Sequence, residues 1–233
     1  MKTVNVRFGT TMRSLAVFAV ALAATPVAFA DVGAAVRVGT LGIGADVDFG
    51  ITEHLGARIG YSAYNYSRTI DNTSVTYDGT IKLSNPSATL DWYPFAGGFR
   101  LSLGAVVSGT KVDAVGKPDA TGTYTLNGHQ YTASDVGTLN GEFKFGNSVA
   151  PYVGLGWGNP AGQGSRFTFV FDLGAVYGGT PNIALTATCG ASAPAQACAQ
   201  LQTDVVSEKQ SLQDKVTLIK WYPVVSLGFG YRF

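Results

Sequence analysis

Val225-Ser226-Leu227-Gly228-Phe229-Gly230-Tyr231-Arg232-Phe233 ends the chain, and the reading of this stretch decides the fold. Residues 225, 227, 229, 231 and 233 are all apolar or aromatic, while the positions between them are serine, glycine or arginine. Successive side chains of a strand point to opposite faces, so the segment is a strand with one wholly apolar face. The same two-residue period recurs upstream. Phe99, Leu101, Leu103, Ala105 and Val107 alternate with Arg100, Ser102, Gly104, Val106 and Ser108; Phe167 through Tyr177, Leu41 through Phe49 and Leu55 through Tyr61 repeat the pattern. In Ile81 to Trp92 the apolar set changes parity across Asn85-Pro86, which predicts a bulge there.

Composition narrows what such strands build. Charged residues make up 13% of the 233, about half the share of a soluble domain, and there are 30 glycines. Beyond residue 30 no run approaches the 20 or so apolar residues of a membrane-spanning helix. The faces opposite the apolar ones carry Asp46, Asp48, Arg58, Asp91, Arg100, Glu142, Lys144, Asp172 and Arg232, mixed with glycine and serine. A soluble sandwich would show water long charged rows. Sparse charge among small residues fits the crowded interior of a narrow barrel whose outer face meets lipid. Tyr64, Tyr66, Trp92, Tyr93, Trp157, Trp221 and Tyr222 stand near strand ends, where membrane interfaces favour aromatics. The expected fold is an all-β antiparallel transmembrane β-barrel.

The closing residues Leu227-Gly228-Phe229-Gly230-Tyr231-Arg232-Phe233 resemble the terminal strand of small outer-membrane barrels of the OmpW, OmpA-barrel and opacity-type superfamily. The Asp91 to Leu101 hairpin region is loosely similar as well. The resemblance implies residence in a bacterial outer membrane, with lipid and lipopolysaccharide as surroundings. It implies insertion by the barrel-assembly machinery, with Leu227, Phe229, Tyr231 and Phe233 as the assembly signal, and a periplasmic C-terminus.

The N-terminus agrees. Lys2, Arg7 and Arg13 precede the apolar run Leu15 to Ala24, and Ala28-Phe29-Ala30 supplies a small-x-small cleavage site, so 1–30 reads as a signal peptide and 31–233 as the barrel. Without the leader, 13 basic residues face 15 acidic ones, a net charge of −2, and no nucleic-acid partner is expected. In an oxidising compartment Cys189 and Cys198, nine positions apart in a loop-like stretch, form a local disulfide.

Connection lengths leave eight or ten strands open. Short turns at 50–54, 93–98, 146–150 and 178–182, read as periplasmic, alternate with longer external loops at 67–74, 113–137, 158–165 and 188–215. This scheme needs an extra strand within Val32 to Val38 to reach ten. Merging 166–177 with 182–188 gives eight but places 113–137 on the periplasmic side. Thr123 to Thr132 reads as a hairpin about Asn127-Gly128, and Leu201, Val205, Leu212 and Val216 mark a helix in the last long loop.

Enzyme chemistry has little to work with. Outer-membrane proteases and lipid-modifying enzymes of this size rely on histidine; here His54 lies in a short turn and His129 at a hairpin tip near Ser134 and Asp135. No phosphate-binding glycine loop or cofactor motif is present. Nine interior charges of both signs predict a salt-bridged plug. The chain is therefore expected to be a non-enzymatic barrel with a structural or surface-interaction role, the alternative being a conduit for small, even hydrophobic, solutes.

Overall fold

The computed structural model describes residues 31–70, 76–119 and 121–233; the expected signal peptide lies outside the described residues. The described chain runs β1 (Asp31–Gly39), β2 (Gly42–Thr52), β3 (Leu55–Ile70), β4 (Thr76–Trp92), β5 (Phe99–Val107), β6 (Lys111–Lys117), β7 (Thr123–Leu126), β8 (His129–Thr132), β9 (Val136–Lys144), β10 (Val149–Trp157), β11 (Phe167–Tyr177), β12 (Asn182–Cys189), α1 (Ala195–Val216) and β13 (Trp221–Arg232).

Eight of these close into an antiparallel barrel, in the order β4-β3-β2-β1-β13-β11-β10-β5, with β5 returning to β4 through Ser87↔Val106 to Trp92↔Leu101. The terminal strand seals the wall between β1 and β11. Its apolar face looks outward: Phe229 is 67% exposed and Phe233 79%. Ile43, Ile59, Leu90, Leu103, Val153 and Phe169 continue this exposed apolar belt round the barrel, and Phe167–Tyr231, Tyr177–Trp221 and Phe99–Trp157 ring pairs stand at its edges. Exposed apolar side chains over a whole barrel wall are the signature of a surface solvated by lipid.

Above the belt, on the side away from the C-terminus, the wall opens. The upper half of β4 leaves β5 and pairs with β6, β6 pairs with β9, and β9 with β12. Each of these continues a barrel strand past a kink: β5 into β6 at 108–110, β9 into β10 at 145–148, β11 into β12 at 178–181. The kinks lie side by side and hold one another through backbone bonds: Gly109 N–H to Ser84 (2.8 Å), Ser108 N–H to Ser148 (2.8 Å), Asn147 N–H to Gly178 (2.9 Å) and Gly178 N–H to Lys220 (2.9 Å). Gly146-Asn147 and Gly178-Gly179-Thr180-Pro181 thus bend the chain without reversing it.

This corrects the expected scheme of turns. The barrel has eight strands, and 166–177 does run on into 182–188. The segments at 146–150 and 178–182 are kinks at the far end, the end at which β6, β7 and β8 also lie; of the expected 67–74 loop, 71–75 lie outside the described residues. The 158–165 loop instead joins 50–54 and 93–98 at the C-terminal end, where Gly158 N–H bonds Gly98 carbonyl at 2.8 Å. Two residues, Thr40-Leu41, form the whole first far-end turn. Nor is there a bulge at Asn85-Pro86, since the β3–β4 register runs unbroken through Ser62↔Asn85 and Tyr61↔Pro86. The parity changes because β4 passes from the barrel, with its apolar face outward, into the extension, with its apolar face inward. Pro86 falls between the stretches paired with β5 and with β6, where the ladder is interrupted anyway.

The inner face of the extension is covered by α1 and by the β7–β8 hairpin, whose turn residues Asn127 and Gly128 both have positive φ (49° and 80°). Leu201 and Val205 of the helix are buried with Tyr124, Leu126, Tyr131, Val136 and Leu139. Leu212 and Val216, also expected on the packed face, are only partly covered. Cys189 at the end of β12 is bonded to Cys198 in the first turns of α1, with Cα atoms 5.5 Å apart.

Candidate functional site

Inside the barrel the alternation delivers polar side chains from every wall to one level. Asp172 on β11 is the centre. It accepts from Arg37 on β1, from Arg58 on β3 (3.3 Å to each carboxylate oxygen), from Arg100 on β5 (2.7 Å) and from the Ser226 hydroxyl on β13 (3.2 Å). Arg37 also grips Asp46 on β2 through Nε and Nη2, the latter at 2.9 Å. Arg58 donates to Thr89 (3.1 Å) and Asp91 (3.3 Å) on β4 and to Ser102 on β5 (3.4 Å), and Ser102 donates to Asp91 at 2.5 Å. The remaining wall, β10, contributes space: a Cβ on Gly156 would lie 2.9 Å from Asp172 Oδ1 and 3.2 Å from Arg100 Nε. All eight strands therefore meet in one charged layer across the lumen.

The layer is buried, with Arg100 at 0% and Asp91 at 1% exposure. Three guanidiniums face four carboxylates, Asp46, Asp48, Asp91 and Asp172, and both oxygens of buried Asp48 lack a hydrogen-bond partner among the described residues. On the far side, Arg37, Asp46, Arg58 and Asp172 form one wall of a cavity of about 70 Å³, room for a handful of waters. Beyond it Val106, Ala150, Tyr152, Val176 and Val224 pack into an apolar layer, with Leu41 and Tyr222 against it.

On the C-terminal side the 158–166 loop folds into the barrel end. Arg100 donates to the Gly158 carbonyl, and buried Pro160 lies so close to β1 and β13 that a Cβ on Gly33 would sit 2.4 Å from its carbonyl oxygen and one on Gly230 2.6 Å from its Cγ. Only glycine admits that approach. Below lies a vestibule of about 600 Å³ between this loop, the Glu53 turn and Tyr93.

Of the nine interior charges expected from sequence, Asp46, Asp48, Arg58, Asp91, Arg100 and Asp172 are in the layer. Glu142 and Lys144 are not: they lie on β9 in the extension, where they pair with each other at 2.6 Å and Glu142 also meets Lys111 at 2.6 Å. Lys111 hydrogen-bonds to Glu142, and this holds the Glu142 carboxyl below its ordinary range. Arg232 sits at the barrel rim, donating to the Gly162 (3.1 Å) and Gly164 (3.0 Å) carbonyls. Arg37 is the member that strand reading missed. The signal was there in Val36-Arg37-Val38, whose valines are 62% and 58% exposed around an arginine whose side chain is only 9% exposed.

The two histidines stand apart from this layer. His54 is in the β2–β3 turn at the C-terminal end. His129 Nδ1 lies 2.9 Å from Asp204 of α1, whose carboxylate also takes the Tyr131 hydroxyl and the Asn127 (3.0 Å) and Gln200 (3.3 Å) amides. That cluster joins hairpin to helix. Its donors, Tyr131 first, hold the Asp204 carboxyl down at about 2. Among the described residues no group of three or more His, Cys, Asp or Glu side chains is arranged to hold a metal.

The chain is similar in fold to the crystal structure of Acinetobacter baumannii CarO2, with a TM-score of 0.55 at 20% identity over 87% of this chain and 98% of that one. It is likewise similar to Acinetobacter baumannii CarO, with a TM-score of 0.54 at 22% identity over 86% and 97%. Both are outer-membrane β-barrels. No protein-family model and no curated protein sequence matches the chain, so the resemblance to the OmpW and OmpA-barrel superfamily extends no further than the closing strand and, loosely, the Asp91 to Leu101 hairpin.

Proposed function

We propose that this protein is an integral barrel of a bacterial outer membrane that conducts little or nothing, and that its work is done by the sheet, hairpin and helix displayed at its far end. The observation that carries this reading is the charged layer. Arg37, Arg58 and Arg100 converge on Asp172 from three walls, and an apolar layer on one side and the Pro160 loop on the other back it up. Such an arrangement anchors a wall; it does not line a pore. The displayed module, with its own apolar core and disulfide, is the part free to meet a partner. Export through a leader ending at Ala30, a lipopolysaccharide environment and insertion by the assembly machinery complete the proposal.

Planar-bilayer recording of the reconstituted protein tests it. Little or no conductance is expected from the unmutated barrel, and brief openings from Arg100→Ala. A large, steady, porin-like conductance would overturn the closed reading. A conduit for small solutes would then take its place, and the 70 Å³ cavity and 600 Å³ vestibule on either side of the layer are what favour that second reading.

A further inference from the structure

The outer face of the extension carries an ordered row of cations. Cross-strand register puts Lys82 of β4 opposite Lys111 of β6, and Lys111 opposite Lys144 of β9. In the next row, one step farther from the barrel, Asp113 of β6 stands opposite Glu142 of β9. Three ammoniums thus share two carboxylates in a zigzag: Lys82–Asp113 at 3.0 Å, Lys111–Asp113 at 3.0 Å, Lys111–Glu142 at 2.6 Å and Lys144–Glu142 at 2.6 Å. The lysines directly opposite one another repel, and the acids hold them in line at strand spacing. Among the described residues one positive charge of the row remains uncompensated. The row is open to the surroundings, with the Lys82 and Lys144 side chains 54% and 52% exposed.

Its place relative to the lipid belt decides what it can meet. Pairing along β3–β4 puts Lys82 and Pro86 on one face, and Pro86 is opposite the belt residue Tyr61, so the lysine row continues the lipid-facing side of the wall. Lys82 lies four residues beyond Pro86 on the continuous strand β4, and Lys111 stands opposite Lys82. Four residues are about 13 Å of strand, or roughly 10 Å of height at the tilt of a small barrel. That height is the headgroup layer, beyond the hydrocarbon core. A bed of fixed ammoniums at headgroup depth, flush with a lipid-facing wall, suits phosphate groups, which lysine binds as a point charge.

We infer that Lys82, Lys111 and Lys144 form a docking strip for the phosphates of an outer-leaflet glycolipid of the lipopolysaccharide class. The strip would fix the orientation of the extension above the bilayer. This rests on the outer-membrane reading above.

The test uses the full-length, detergent-folded barrel and three probes: a bisphosphorylated hexa-acyl glycolipid, its dephosphorylated form, and phosphatidylglycerol. Binding is read by native mass spectrometry and by the rise in unfolding temperature. The bisphosphorylated glycolipid should raise that temperature by several degrees, and the other two by much less. Lys82→Gln/Lys111→Gln/Lys144→Gln should lose most of the rise. The corresponding triple arginine variant should keep it, and Lys209→Gln/Lys215→Gln on α1 should leave it unchanged. Should the triple glutamine variant misfold, Lys82→Gln/Lys144→Gln serves, because Lys111 still bridges both acids. An equal rise with the dephosphorylated glycolipid, or an undiminished rise in the glutamine variant, overturns the strip. Failure of the unmutated chain to fold in detergent or insert into vesicles would instead sink the membrane reading beneath it.

Discussion

Arg37 and Asp172 lie on strands that are not neighbours, β1 and β11 with β13 between them, and their side chains nonetheless join inside the barrel. The bond reaches past one strand of wall, which only an interior narrow enough to be filled by side chains permits. The barrel is thereby cross-braced at the one level where the closing strand β13 contributes only Ser226.

Removing the centre of that brace should be costly. In Asp172→Ala, Arg37 keeps Asp46 and Arg58 keeps Asp91, but fully buried Arg100 keeps only the Gly158 carbonyl. An uncompensated buried charge costs about 3–5 kcal/mol. Urea unfolding in lipid vesicles should show a loss of that order, with a smaller one for Asp172→Asn. A loss below about 1 kcal/mol would mean the layer does not brace the wall.

Asp48 should behave in the opposite way. It is the fourth carboxylate against three guanidiniums and accepts no hydrogen bond among the described residues. Asp48→Asn removes an excess buried charge while keeping its volume, and stability should hold or rise by about 1 kcal/mol. Asp91→Asn, which weakens the acceptor of Ser102 and Arg58, should destabilise in the same assay. A clear loss in Asp48→Asn would point to an ordered water or ion satisfying the carboxylate.

The contrast between Arg37 and Lys144 explains what was legible in the sequence. Alternation fixes which face a residue takes within its strand, so Asp46, Asp48, Arg58, Asp91, Arg100 and Asp172 were readable as one set. Alternation does not tell whether a strand is still in the barrel. Glu142 and Lys144 follow the same period on β9, but beyond the kink at 145–148 the face that looked inward below looks outward above. The kinks themselves resembled turns because glycine, asparagine and proline serve both purposes. Whether Gly178-Gly179-Thr180-Pro181 reverses the chain or bends it depends on β9 lying alongside to pair with β12, a contact over some forty residues that no local pattern records. Arg37 was missed because its strand was expected only as an optional tenth one within 32–38, although β1 is as long as β5 and β10.

The disulfide should matter locally. Cys189 and Cys198 tie β12 to α1 and close a loop of about ten residues, which loop-closure entropy values at about 2–3 kcal/mol. Cys189→Ser/Cys198→Ser should fold with normal heat-modifiable migration, while limited proteolysis should cut faster within 190–216. Loss of barrel insertion in the double variant would show that the extension folds first and templates the wall.

Acid should loosen the same module before it harms the barrel. Hydrogen bonds from Tyr131, then Asn127, hold the Asp204 carboxyl at about 2, below its ordinary value of 3.8. A carboxyl with a depressed folded value contributes stability that is fully present above about pH 4 and is lost as pH falls toward 2. The groups that meet it are the Tyr131 hydroxyl, the His129 ring and the Asn127 amide on the hairpin, with Gln200 on the helix, while Glu208 accepts from the Asn127 backbone N–H. Protonation removes an acceptor from several of these donors at once, so the hairpin should part from α1. Amide exchange at 123–132 and 199–208 should accelerate between pH 4 and pH 2 while barrel strands such as β1 and β13 remain protected. Asp204→Asn should exchange fast at those sites at neutral pH and show no further acceleration on acidification. Uniform loss of protection across barrel and extension would mean that the two unfold as one unit and that Asp204 is not the joint between helix and hairpin.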